Sequence, residues 1–140
     1  MLSHPEIQQL GYGVSREMPY EGHITVYTIE KLSRDAIDVW ADDRKEMIDH
    51  HPQEMTMRTL HIIDDGSGFI SPYATARIRE SVYYASNIKN YTAVVINESL
   101  TANMVEILLR KLAGAIHSWK FRLFHTREEA ERWLLAQSEM

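Results

Sequence analysis

The side chains able to do chemistry in this sequence are acids, histidines and serines, and their spacing restricts what that chemistry is. Asp64-Asp65-Gly66-Ser67-Gly68 follows an apolar run at 60–63 and offers clustered oxygens. A calcium loop needs acidic ligands at alternate positions and a late Glu. Phe69, Ile70 and Pro72 cannot supply them, so glycine turn chemistry accounts for the segment better. His50-His51, His61 and His125 are the candidate metal ligands. Metal-binding His pairs on helices are spaced four apart, HExxH is missing, and neighbouring helical residues point in different directions. Asp42, Asp43, Glu46 and Asp49 crowd one stretch, as paired acid and base do in glycosidases. On a helix they read more simply as a solvated face, with Lys45 and Asp49 as an i,i+4 pair. GxSxG is absent, Gly66-Ser67-Gly68 is too short to replace it, and no glycine-rich loop ends in Lys-Ser/Thr. No catalytic, cofactor or metal residue is therefore assigned.

The elements that must carry these residues follow from periodicity and caps. Residues 12–15 read as a short first strand, 18–22 (MPYEG) as a turn, and 23–30 (HITVYTIE) as an alternating, β-branched strand, together an antiparallel hairpin. Ser33 caps a helix whose apolar face is Ile37, Trp40, Ala41, Met47 and Ile48. Arg44 interrupts that stripe, and its alkyl stem is expected to cover the edge. Pro52 ends the helix after His50-His51. A strand at 57–64 leads to a helix from Ser71 to about 87, opened by Ser71 as N-cap and Pro72 at the first helical position. Its buried stripe is Ala74, Ile78, Val82 and Ala85.

The strand at 91–97 (YTAVVIN) is apolar throughout, as expected when both faces are covered. Ser99 or Thr101 caps the next helix, running to about 116 with Met104, Leu108, Leu112 and Ala115 inward. Residues 119–125 (WKFRLFH) alternate like a half-exposed edge strand, and Thr126 with Glu129 forms a capping box before the last helix. The order is β-β-α-β-α-β-α-β-α. It defines an α/β domain with a single, mostly parallel sheet of about five strands, four helices and an N-terminal hairpin. Residues 1–140 read as one domain with its core at about 10–137. Ligands of such sheets usually sit beyond the carboxyl ends of the strands, here near 30–33, 64–71, 97–101 and 125–126.

Composition narrows the function classes. A chain of 140 residues with 44% hydrophobic and 25% charged residues can build a core without staples. Fifteen Lys and Arg against twenty Asp and Glu give a net charge of −5, which argues against nucleic acid as partner. There is no cysteine, hence no disulfide, thiolate metal site or cysteine nucleophile. The start of the chain lacks the basic and apolar regions of a signal peptide, and no apolar run approaches bilayer length, so a cytoplasmic location without a transmembrane segment is expected.

The strand ending at Ile63-Asp64, the Phe69-Ile70-Ser71 approach to a helix and the terminal FRLFHTREEAERWL resemble the STAS superfamily, in its SpoIIAA-like branch related to anti-sigma-factor antagonists. The resemblance covers residues 10–137 in topology. It implies a small βα module that binds partners or ligands without turning over substrate. In the antagonists, the loop after the third strand carries an Asp, a phosphorylatable Ser and a Gly at the helix start. Here Ser71 stands where that Asp would be, Pro72-Tyr73 replace the serines and the Gly is absent, which leaves Ser67 or Ser71 to stand in.

The expected function is a non-enzymatic, cytoplasmic regulatory or protein-interaction module. Its surface would comprise Asp64, Asp65, Ser67, Phe69, Ser71, Tyr73, Tyr84, Ser99 and Thr101. A protein partner is expected, and the edge strand at 119–125 and the pair Tyr83-Tyr84 suit a homodimer. A small-molecule or lipid-binding domain is the second class, which requires an apolar cavity beneath Trp40, Phe69 and Met104. An enzyme is the third, with His61, Asp64, Asp65 and His125 as the ionisable groups near the loop edge.

Overall fold

The computed structural model describes residues 6–64, 70–96 and 100–137, with side chains for all of these except 100 and 101. A hairpin opens the chain: β1 (Gln8–Gly11) and β2 (Val14–Glu17) pair antiparallel across Tyr12-Gly13. Both loop residues have positive φ, +53° and +76°, the requirement of the tight turn whose twist matches that of the strands. Tyr12-Gly13, expected within a strand, is thus the turn itself. β1 was not expected, because QQLG carries no apolar alternation and pairs only where this turn folds it back.

A short helical segment, α1 (Pro19–Gly22), in which Tyr20 and Glu21 are left-handed, leads to β3 (Thr25–Ile29), antiparallel to β2. Three βα units follow: α2 (Arg34–His50), β4 (Met57–Ile63), α3 (Pro72–Tyr84), β5 (Asn90–Ile96), α4 (Leu100–Ala115) and β6 (Trp119–Phe124), closed by α5 (Arg127–Leu135). The class is α/β, with six strands in a mixed sheet and five helices in place of the five and four expected. β3 to β6 are parallel and the strand order is β1-β2-β3-β4-β5-β6.

That order decides the layering. Each crossover from β3 to β6 advances one strand in the same direction, so crossovers of one hand stack α2, α3 and α4 on one face. The main core shows this: Tyr27, Ile29 and Val94 of the sheet pack with Trp40, Ala74, Val105 and Leu109 of the helices. α5 covers the other face, where Ala130 and Leu134 meet Ile24, Val26, Leu60 and Ala93. β5 is therefore covered on both sides, which is why its sequence is apolar at successive positions.

The helix starts follow the caps. Ser33, Ser71 and Thr126 each accept from the backbone N–H three residues on, at 3.2, 3.0 and 3.3 Å. Glu129 reaches back to the Thr126 hydroxyl, which donates to it at 3.0 Å. Glu17 and Glu131 clamp Arg127, whose guanidinium bonds Glu17 at 3.0 and 3.1 Å and Glu131 at 2.7 Å. Tyr20 donates to Glu131 at 2.7 Å. These contacts fasten the start of α5 to the antiparallel end of the sheet and hold the left-handed turn at Tyr20.

Candidate functional site

The expected loop-edge surface is not one site among the described residues. Asp64 is exposed, with its backbone N–H donating to Ile29 O at 2.9 Å. Ser71 serves as the N-cap of α3. Tyr73 donates to Asp38, which also takes Arg77 at 3.2 Å, and Arg34 lies over its ring at 4.2 Å. The Tyr73 hydroxyl, helped by Arg77 and opposed by burial, holds the Asp38 carboxyl below its usual range. Tyr84, 44% exposed, donates to Asp49. Ser71 and Tyr84 bracket the 13-residue α3, roughly 20 Å apart at the helical rise. Asp65, Ser67, Phe69 and Ser99 lie outside the described residues, as does the side chain of Thr101 in the first turn of α4.

The histidines do not converge either. His50 and His51 sit at the end of α2, each ring nitrogen 2.8 Å from a backbone carbonyl, of Glu46 and Met55. They border a surface cleft of about 340 Å³ at the N-terminal ends of β3 and β4. His125 is exposed beyond the opposite end of the sheet. His61 is buried mid-sheet, with Tyr27 its neighbour on β3 and Val94 on β5. Nor is the acidic helix face uniformly solvated. Asp43 is half-buried, accepts from Tyr27 Oη at 2.7 Å and pairs with Arg16. Burial and this hydrogen bond push the Tyr27 hydroxyl far up, so it stays a donor.

The chemistry lies instead between the sheet and the helices. A cavity of about 60 Å³ is walled by apolar side chains of β3, β4, β5, α2, α3 and α4, Ile63, Val82 and Leu108 among them. Trp40, Arg44, His61, Thr92 and Trp119 complete its lining, with the ring nitrogens Trp40 Nε1 and His61 Nε2 buried behind that surface. Their placement is a matter of period: Ile37, Trp40, Ala41, Arg44 and Ile48 form one inward stripe of α2. Thr59, His61 and Thr92 alternate onto the same face of the sheet. Arg44, expected to run along the edge of that stripe, is 4% exposed and points into the protein.

The hydrogen bonding there is incomplete. Trp119 Nε1 donates to Thr92 Oγ1 at 2.8 Å, and Arg44 donates to Thr59 Oγ1 at 3.0 Å. Beyond that, Arg44 has only the Met57 sulfur at 4.0 Å, and no carboxylate among the described residues. The nearest acid along the helix, Asp43, is committed to Arg16 and Tyr27. Trp40 Nε1 and His61 Nε2 are buried without any partner. The two rings meet edge to face at 5.5 Å, and Tyr27 stacks on the other side of His61 at 5.6 Å. Burial, with Arg44 adding to it, lowers the His61 pKa to about 3, so the imidazole is neutral at ordinary pH.

Buried polar groups are nearly always hydrogen-bonded, and an isolated buried charge costs several kcal/mol. Two unpartnered ring nitrogens and one cation without an acidic partner among the described residues thus belong to side chains that line one cavity, the kind of place where polar groups converge on a ligand. Trp40 was legible as a core residue and His61 as a strand histidine. Arg44 was the overlooked member, although its spacing of four from Trp40 and seven from Ile37 placed it on the inward stripe. The wider apolar cavity expected beneath Trp40, Phe69 and Met104 is present at Trp40, while Phe69 lies outside the described residues and Met104 does not line it.

Compared with known protein families, curated proteins and solved structures, the chain gives no match. No helix of the described residues is long and apolar enough to cross a membrane.

Proposed function

We propose that this chain is a non-enzymatic, STAS/SpoIIAA-like binding module whose working site is the cavity under Trp40 rather than the loop edge. The observation that carries this reading is a buried cation, Arg44, without an acidic partner among the described residues, in the lining of one apolar-walled cavity. The hairpin entry, the βα units and the capped last helix support the STAS-like assignment. The strand order favours a site away from the strand ends: β3 to β6 never reverse direction, so among the described strands no topological switch point opens a crevice there. The regulatory role, and a cytoplasmic setting, rest on the resemblance.

The test is a thermal-shift screen of small organic compounds on the intact chain and on Val105→Phe, which places a larger side chain in the cavity wall. A ligand that binds only the folded state raises the melting temperature with concentration. At least one compound is expected to do so in the parent and not in the filled variant. No shift from any compound small enough to enter overturns the reading.

A protein-docking surface on α3 is the second reading, favoured by Tyr83 and Tyr84, 47% and 44% exposed side by side. Loss of a detected partner or of self-association in Tyr84→Ala supports it, and unchanged association in both Tyr84→Ala and Ser71→Asp counts against it.

A further inference from the structure

Resting on the cavity as a binding site, we infer that its ligand is a short-chain monocarboxylate, of the size of acetate or propionate, with the carboxylate toward Arg44 and the alkyl end among the aliphatic side chains. Four observations combine to give this chemistry. The first is charge. Arg44 is 4% exposed and lacks an acidic partner among the described residues, so the interior holds one uncompensated positive charge. A single negative charge balances it, whereas a dianion would bury a second unpaired charge. The second is polarity. Arg44 can only donate hydrogen bonds, so it calls for an acceptor. The planar guanidinium fork matches a carboxylate in particular.

The third observation is the wall. Away from these donors the cavity is lined by groups such as Ile78, Val82, Val105 and Leu109, which a bare inorganic anion leaves unsatisfied and an alkyl group fills. The fourth is size. About 60 Å³ holds roughly four to six water-sized atoms. Acetate and propionate suit that space.

The experiment compares sodium propionate with propionamide, its neutral isostere, and with sodium chloride and sodium nitrate at equal ionic strength, read by thermal shift and calorimetry on the full chain. Propionate is expected to bind and the other three are not. Arg44→Met should weaken propionate binding by about a hundredfold or more, since one partner of a buried charge pair is lost. Replacing an unpaired buried charge by an apolar group of similar length tends to preserve folding. Val105→Phe, which narrows the cavity without touching Arg44, should likewise abolish propionate binding and serves should Arg44→Met fail to fold. Equal binding of propionamide overturns the carboxylate assignment and leaves the cavity reading standing. Equal binding of chloride or nitrate overturns the alkyl component. If no neutral or charged compound binds, the cavity reading and this inference fall together.

Discussion

At the scale of single residues, His61 and Ser71 separate a cavity role from a loop-edge role. Burial holds His61 neutral down to a pKa of about 3, whereas the unfolded chain takes up that proton near 6.5. The unfolded state therefore binds one more proton between those limits, and stability falls as pH falls through that window, by up to about tenfold in the folding equilibrium per pH unit. Chemical denaturation from pH 7 to 4 should show a shallower loss in His61→Phe than in the parent; identical slopes would mean that His61 is not held neutral. Ser71 shows only a cap. Ser71→Ala should cost about 1 kcal/mol and Ser71→Asp almost nothing, because Asp caps as well as Ser. Equal losses in both, measured by urea titration, would contradict the cap. The cap was readable from Ser71-Pro72 alone. The environment of His61 was not, because it depends on the register that sets Tyr27 beside it and on the α2 stripe that brings Trp40 and Arg44 over it. Such long-range placement has no local sequence signature.

At the scale of elements, the boundaries of β3 to β6, α2, α3 and α5 follow the caps and alternation closely, while the first hairpin does not. Its pairing depends on two left-handed residues, and Tyr12, 66% exposed at φ +53°, is an unusual occupant of that position. Tyr12→Asn should stabilise the protein by about 0.5–1 kcal/mol, since Asn tolerates this backbone and favours the turn. Gly13→Ala should do the reverse: at φ +76° its Cβ would lie 2.8 Å from Glu30 Oε2. Melting curves that rank the two variants the other way would refute this description of the turn. At the other end of the chain, α5 holds its face of the sheet through Leu134, which is fully buried. Leu134→Ala should cost about 2–5 kcal/mol, as expected for a core leucine. Arg127→Ala should cost less, about 0.5–1 kcal/mol, because its clamp is partly exposed to solvent. A larger loss for Arg127 than for Leu134 would mean that the clamp, not the apolar face, seats the helix.

At the scale of the whole molecule, the unidirectional order of β3 to β6 stacks three helices on one face and leaves α5 alone on the other. A sheet with three helices on one side has a thick layer there, and the cavity lies in it, between α2, α3, α4 and the sheet. The α/β class and the succession of βα units were legible because apolar period and helix caps are local. The interior site was not, because a charged residue on an apolar stripe reads as a stem lying along the edge until the helix is docked. The central claim is that this cavity receives a small ligand at Trp40 and Arg44. Side-chain amide NMR tests it most directly, since the three indole N–H groups occupy three different settings. Trp40 Nε1 is buried and unpartnered, Trp119 Nε1 is bonded to Thr92, and Trp133 packs against Tyr91 and Phe124 on the opposite face. On titration with propionate, the Arg44 Nε–H resonance should move downfield and saturate, and the Trp40 resonance, whose ring lines the cavity, should shift and saturate with it, while the Trp133 resonance stays in place. An unmoved Trp40 resonance, or equal small drifts of all three indoles, would contradict the account.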